Sequence, residues 1–295
     1  MAAGNTLIGV ATRATAIPGS RPGERLPLAP ADDEIRRLGE TLNDLLERTD
    51  AALARERAFV ADASHELRTP LAVLKTELEL ALRGEHSAAE LRAAVVSAGE
   101  ETDRLVRLAE DLLVIARSDQ GGLPVRRETL AADDLLATIA ARHAAAAAER
   151  GRHLVADPAP GLLVSADRMR MEQALSNLVD NALRHGGGAV RLWARAADGR
   201  SELHVSDEGP GLDAALGSRA FDRFARAAAG RSGGGSGLGL AIVRAIARAH
   251  GGEAHLDPAP GGGLDAWISL PAPDGPEAPV PSAPLTGSQP PPISG

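Results

Sequence analysis

The chain has 295 residues, a length that suits about two domains. Its formal net charge is −8 and no basic block stands out, which excludes a nucleic-acid groove or an anionic membrane surface as the default partner. It has no cysteine, so disulfides, thiolate metal sites and cysteine nucleophiles are excluded, while 44% hydrophobic residues are enough for a buried core. No stretch reaches the roughly 20 apolar residues that span a bilayer. The expectation is a cytoplasmic protein, held at the inner face of the plasma membrane only if an anchoring segment lies upstream.

Residues 1–30 carry Gly, Pro and Arg without periodicity and read as a flexible N-terminal segment. From Asp33 the pattern turns helical. Leu38, Leu42, Leu45, Leu46 and Leu53 recur near a 3.5-residue period, and residues 31–56 read as a signalling helix that feeds into the next. The stretch Ala54–Arg83 continues that helix, with Phe59, Leu67, Leu71, Leu74, Leu78 and Leu82 as its stripe. Gly84–Ser87 break it. A second amphipathic helix carries Leu91, Val95, Ala98, Leu105, Leu108, Leu112 and Ile115 and stops at Gly121-Gly122. Two helices joined by a short turn make a helical hairpin. One hairpin leaves its stripe uncovered, so the pattern predicts a homodimer in which two copies close a four-helix bundle.

Beyond Pro124 the period changes. His153–Asp157 and Leu162–Asp167 are strand candidates, and Asp167–His185 is helical. In Ala189–Ala196 apolar and polar residues alternate, Asp198-Gly199 makes a hairpin turn, and Ser201–Asp207 returns. A helix at about Leu238–His250 precedes strands at Glu253–Asp257 and Asp265–Leu270. The fold class is therefore a helical hairpin followed by an α+β sandwich, with helices on one face of a mixed sheet. Residues 272–295 are rich in Pro, Gly and Ser and read as a disordered tail.

The first chemical signal is Phe59-Val60-Ala61-Asp62-Ala63-Ser64-His65-Glu66-Leu67-Arg68-Thr69-Pro70-Leu71. His65 lies beside the apolar stripe, so its imidazole faces solvent, where it is a competent nucleophile near neutral pH. Glu66 can accept the proton lost on attack. Thr69, four residues on, shares the face of His65 and can bond a water or a phosphoryl oxygen. Pro70 offers no N–H to the carbonyl of Glu66, which predicts a bend just after the nucleophile. Proline inside a helix costs about 3 kcal/mol.

Three further segments follow in order. In Asn177-Leu178-Val179-Asp180-Asn181-Ala182-Leu183-Arg184-His185, Asn177 and Asn181 share a helical face, where an amide oxygen suits Mg²⁺. In Asp207-Glu208-Gly209-Pro210-Gly211, an acid at a strand end meets glycines that let backbone approach a flat ring. In Gly233-Gly234-Gly235-Ser236-Gly237-Leu238-Gly239-Leu240, glycines precede a helix whose N-terminus favours phosphate. No Gly-Lys-Ser/Thr follows, so this is not a Walker A loop, and no βαβ unit surrounds it.

The His65 segment resembles the H-box of bacterial sensor histidine kinases. The other three resemble the N, G1 and G2 boxes of the GHKL (Bergerat) ATP-binding fold, and Phe221-Asp222-Arg223-Phe224 is similar to the kinases' F box. The helix from Asp33-Glu34 resembles the last helix of a HAMP linker. The resemblance covers about Asp33 to Leu270. It implies a dimerisation and phosphotransfer domain at 57–122 and an ATP-binding domain at 123–271. It further implies His65 as phosphoacceptor, Glu66 as proton acceptor, and Thr69 as the residue that positions water for dephosphorylating the partner. It places Asn181 on Mg²⁺ and Asp207 on the adenine amino group. Asn177, Gly209, Gly211, Phe221 and Phe224 line the nucleotide site. Phosphates lie under a mobile lid from about Arg226 to Gly239, which includes Gly235, Gly237 and Leu238, with Arg184, His185, Arg226 and Arg231 as further phosphate or lid contacts.

Related GHKL hydrolases carry a water-activating glutamate four residues before the Mg²⁺ asparagine. Asn177 stands there, and an amide cannot take a proton from water. The implied activity is an ATP-dependent protein-histidine kinase that phosphorylates His65 and passes the phosphoryl group to an aspartate on the receiver domain of a response regulator, and that also dephosphorylates it. The alternatives are a non-catalytic ATP-gated scaffold, against which His65, Glu66, Asn181, Asp207 and Gly237 all stand intact, and a GHKL ATPase, which leaves the H-box without a role.

Overall fold

The computed structural model describes residues 25–26, 34–84, 86–120, 122–212, 216–225 and 236–273. The chain forms two compact units, Met1–Leu105 and Val106–Gly295, so the break falls inside the second long helix.

In the first unit, helix α1 (Glu34–Ala81) runs 48 residues and passes through Pro70 without interruption. Helix α2 (Ala88–Asp119) follows after a short turn. That turn is set by a reciprocal cap. The Glu90 carboxylate accepts from the Ser87 backbone N–H at 2.8 Å, and the Ser87 hydroxyl accepts from the Glu90 N–H at 3.3 Å. The backbone N–H of Ser87 is the largest cause of the Glu90 carboxyl lying below its ordinary value. The helices carry an apolar face that the single chain leaves open: Leu71 is 50% exposed, Leu82 85% and Val95 69%. The N-terminal segment, expected to be flexible, is held at one point. Asn43 accepts from the Leu26 N–H at 2.7 Å and donates to the Leu26 carbonyl at 3.0 Å, and the Leu26 side chain is buried. Arg25 pairs with Asp50 at 2.8 Å.

The second unit begins with the C-terminal turns of α2, where Leu108, Val114 and Ile115 are buried. Strand β1 (Glu128–Ala131) leads into helix α3 (Ala132–Glu149), and β2 (Leu154–Ala156) and β3 (Leu163–Ala166) follow. Helix α4 (Arg168–His185) is capped by Asp167, whose side chain accepts from the Arg170 N–H. Strands β4 (Val190–Ala197) and β5 (Arg200–Ser206) form a hairpin. Its turn residues Asp198 and Gly199 have φ of 49° and 70°, the pair of left-handed conformations a two-residue type I′ turn requires. Helix α5 (Gly239–Ala249) and strands β6 (Glu253–Pro258) and β7 (Leu264–Pro271) complete the unit.

The main sheet has the order β2-β4-β5-β7-β6, with β2 parallel to β4 and the other pairs antiparallel. Helices pack on one face. Leu192, Leu203 and Ile268 of the sheet are fully buried, together with Met171, Leu175 and Leu178 of α4 and Ile242 and Ile246 of α5. On the alternate strand positions, Trp193, His204, Trp267 and His255 stack in a ladder across four strands, with ring centroids 3.6, 5.3 and 4.0 Å apart. His204 lies between Asp265, 3.0 Å from Nδ1, and Glu202, 3.3 Å from Nε2.

Two features depart from the pattern read in the sequence. Strand β3 does not join the main sheet; it pairs antiparallel with β1 in a separate two-stranded sheet. Helix α3 also gives little signal, because a run of alanines lacks the contrast between faces that reveals amphipathicity. Among the described residues no helix is long and apolar enough to cross a membrane.

Candidate phosphoacceptor helix and nucleotide site

On α1, His65 is exposed and its neighbour Glu66 is half-buried. Successive helix positions lie about 100° apart, so Glu66 turns toward the apolar stripe and His65 away from it. The Thr69 hydroxyl, one turn on, donates to the His65 carbonyl at 3.5 Å. The imidazole and a carboxylate thus stand side by side on one helix with a hydroxyl one turn on, and the imidazole is open to solvent.

In the second unit, α4 is anchored by seven buried residues on its core face. This leaves Asn177 and Asn181 half-buried on one adjoining face. The N-terminus of α5 crosses that face: a Cβ on Gly239 would sit 3.2 Å from Asn177 Oδ1. Glycine eases that close approach, and it sets the first turn of α5, whose leading N–H groups have no acceptor within the helix, beside Asn177. Among the described residues no group of three or more His, Cys, Asp or Glu could hold a metal ion. A single amide oxygen is the donor set Mg²⁺ accepts when phosphates and waters fill its other positions, so Asn181 fits that ion.

Asp207 follows β5 and is buried, and its Oδ1 accepts from the Gly209 N–H at 2.7 Å. The backbone around it is packed so tightly that three glycines are obligatory. A Cβ on Gly186 would lie 2.3 Å from Asp207 Cγ, one on Gly209 2.6 Å from Gly186 Cα, and one on Gly263 1.9 Å from the Asp207 carbonyl oxygen. Gly211 has φ of 79°, a conformation that side chains disfavour. The Asp207 carboxylate is thus buried against bare backbone and held by the Gly209 N–H.

The structure brings the F-box and the second glycine segment together. Phe224 has φ of 57°, uncommon for a bulky residue. A Cβ on Gly237, itself at φ 69°, would lie 2.9 Å from the Phe224 backbone. The Arg244 guanidinium lies 5.8 Å from the centroid of the Phe221 ring. Leu238 is fully buried and pins the start of α5. Arg184 and His185 are exposed at the C-terminal end of α4. Arg226, Arg231 and Gly235 lie outside the described residues, while Ala225 and Gly237, on either side of that segment, touch: the Gly237 Cβ position is 3.1 Å from the Ala225 carbonyl oxygen.

Sequence reasoning missed two contributors. The run Gly186-Gly187-Gly188 and the distant Gly263 both form the floor beneath Asp207. Three consecutive glycines directly after a helix were a legible signal; Gly263 was not, because only the β5–β7 pairing brings it there.

Two family models match the chain. Residues 55–121 match the His Kinase A (phospho-acceptor) domain, and residues 166–274 match the histidine kinase-, DNA gyrase B-, and HSP90-like ATPase. The chain is 37% identical over 246 residues to the "Probable sensor histidine kinase TcrY" of Mycobacterium tuberculosis, a match covering 80% of this chain and 51% of that protein. The chain spans about half the length of that relative. Among solved structures, full-length ShkA in complex with AMPPNP is 31% identical with a TM-score of 0.55, covering 73% of this chain and 46% of ShkA. The Acinetobacter baumannii histidine kinase AdeS has the same fold, with a TM-score of 0.58 at 24% identity over 70% of this chain and 98% of that one. With a phosphoacceptor hairpin followed by a GHKL unit, both recognised at the level of sequence, the chain belongs to the two-component sensor histidine kinases.

Proposed function

We propose that this chain is an ATP-dependent protein-histidine kinase that phosphorylates His65 and passes the phosphoryl group to an aspartate on a response-regulator receiver domain. The observation that carries this reading is that one chain holds both an exposed His65 beside half-buried Glu66 on α1 and, in its other unit, Asn177 on α4. Imidazole nitrogen attacks the γ-phosphorus of ATP, the bond from that phosphorus to the β,γ-bridging oxygen breaks, and ADP leaves. Glu66 takes the imidazole proton. Asn177 has no basic atom with which to activate water, so hydrolysis does not compete. Phosphoryl transfer asks mainly for positioning and charge neutralisation. The leading N–H groups of α5 and Mg²⁺ on Asn181 would supply the neutralisation, and Asp207 would accept from the adenine amino group.

The open apolar face of α1 and α2 favours a homodimer, since a contiguous apolar stripe of this length is covered in a stable protein. Thr69, beside His65, would position water for dephosphorylating the receiver domain. The test is incubation with γ-labelled ATP and Mg²⁺. The label should be acid-labile and alkali-stable, and His65→Gln should remove it while ATP binding persists. Labelled His65→Gln protein overturns the site. Steady phosphate release without labelled protein favours an ATPase, and nucleotide binding with neither favours a scaffold.

A further inference from the structure

The floor under Asp207 is built from glycines, and glycines cannot hold themselves in place. Gly186, Gly187 and Gly188 have no side chains to pack, and glycine loses more conformational freedom on folding than any other residue. Their order must come from hydrogen bonds to backbone. Two of those bonds, and a third to the helix end just before them, come from one side chain outside every motif. Arg152, just beyond α3, donates from Nη1 to the Ala182 carbonyl at 2.6 Å, from Nε to the Gly188 carbonyl at 2.9 Å, and from Nη2 to the Gly187 carbonyl.

Two of these carbonyls, and the N–H in the peptide group of the third, are tied in turn to the site. The Ala182 carbonyl also accepts the Gly186 N–H at 2.9 Å, closing the C-terminus of α4. The Gly187 carbonyl also accepts the Glu208 N–H at 3.0 Å. The Ala189 N–H donates to the Glu208 carboxylate at 3.1 Å. The glycine strip is thus clasped between Arg152 on one side and Asp207-Glu208-Gly209 on the other. A guanidinium is a rigid planar fork with donors in fixed directions, and its charge complements the negative end of α4. A lysine ammonium also has three donors, but all on one nitrogen, whereas these three carbonyls are met by three separate nitrogens of the fork.

We propose that Arg152 is a positioning residue for nucleobase recognition: it fixes the glycine strip against which the Asp207 carboxylate is seated, and so sets the preference for adenine. This rests on the reading of Asp207 as the acceptor for the adenine amino group. The three carbonyls that Arg152 bonds lie at and beyond the C-terminal end of α4, not at Asn177, Asn181 or the start of α5, so its loss weakens base selection and leaves transfer from bound ATP intact.

The test uses the full chain and two nucleotides, ATP and ITP, which differ at the position Asp207 would read. Dissociation constants are measured by calorimetry, and KM and kcat from labelling of His65. Asp207→Asn should abolish the preference for ATP over ITP. Arg152→Gln should raise the ATP Kd and KM about tenfold, lower the ATP-over-ITP ratio at least fivefold, and change kcat at saturating ATP less than twofold. The double variant should discriminate no worse than Asp207→Asn alone. Arg152→Lys, which keeps the charge and most of the stem, should recover less than half of the lost preference; it carries the same comparison if the glutamine variant fails to fold. Equal losses for ATP and ITP, or an unchanged ratio in both Arg152 variants while Asp207→Asn loses it, overturn the role of Arg152 alone. A preference retained in Asp207→Asn overturns the adenine reading, and the role of Arg152 with it.

Discussion

His250 and Asp167 join the end of one helix to the start of another. The buried imidazole of His250, at the C-terminal end of α5, accepts the Asp167 backbone N–H on Nε2 at 3.0 Å and donates from Nδ1 to the Ile246 carbonyl at 2.8 Å. Both partners are backbone groups, so the roles are fixed: Nδ1 carries the proton and Nε2 must be bare. Asp167 in turn caps α4, accepting from the Arg170 N–H at 3.1 Å, and takes the Arg126 N–H at 2.9 Å.

This arrangement sets a direction for pH. Burial holds the His250 imidazole below its usual value of 6.5, so the folded state binds the proton less readily than the unfolded chain. Burial raises Asp167, but the Arg126 and Arg170 N–H groups outweigh it and leave its carboxyl below the ordinary range. Both groups contribute stability above their unfolded pKa values and lose it as pH falls. Between pH 7.5 and 5.5 the His250 share should therefore lower the denaturant midpoint, Asp167 acting only near its unfolded value of 3.8 and below; the comparison is made in an Asp111→Asn background, because Asp111 titrates in the same window with the opposite sign. His250→Gln, whose carbonyl can still accept from Asp167, should flatten that drop. A variant as pH-sensitive as the parent would show that His250 is not the group responsible.

Asp111 acts in the opposite sense. It sits on α2 against α4, where its Oδ1 accepts from Gln173 Nε2 at 3.3 Å. Burial pushes its carboxyl up to about 6; Glu110 and Asp180 add to the rise, while Gln173 and Arg107 oppose it. A raised carboxyl stabilises the fold below its unfolded pKa and loses that stability as pH rises through the folded value. Asp111→Asn keeps the shape without the charge. It should stabilise the protein at pH 7.5 by roughly 1–3 kcal/mol and have no effect at pH 4.0. Equal gains at both values would assign the effect to packing instead.

Gly186→Ala should cost both fold and ligand. Its methyl group would lie 2.3 Å from Asp207 Cγ and 2.6 Å from the Ala182 carbonyl oxygen, and neither can move without shifting the site. Overpacking of this kind costs about 1–3 kcal/mol. Nucleotide binding should fall by at least tenfold, read by calorimetry. Gly99→Ala is the contrast, since on α2 nothing lies within 4 Å of its Cβ position. It should stabilise the chain by roughly 0.5–1 kcal/mol through helix propensity and leave binding unchanged.

Thr69→Ala removes the hydroxyl that donates to the His65 carbonyl. A bond at 3.5 Å contributes little to the helix. Labelling of His65 should remain within twofold of the parent, while dephosphorylation of the receiver domain should slow at least fivefold. An unchanged dephosphorylation rate removes Thr69 from that reaction.

Much of this was readable before any coordinates. The alternation in Val190–Ala197 and the Asp198-Gly199 turn are local signals, and the hairpin follows them. The asparagines on α4 and the acid ending β5 announce themselves by spacing. What was not readable is long-range. Arg152 is one of many arginines, and only folding reveals that its fork meets three carbonyls some thirty residues away. Pairing of β1 with β3 likewise depends on chain reversal through α3, whose alanines hide its buried face of Leu135, Leu136 and Ile139.

The contact between Gly237 and the Phe224–Ala225 backbone has an evolutionary consequence. A side chain at Gly237 would press on that backbone at 2.9 Å, and the strain would fall on the start of α5 two residues on, where Gly239 stands against Asn177. Selection at Gly237 is therefore tied to the seat of Asn177, a residue sixty positions earlier in the chain.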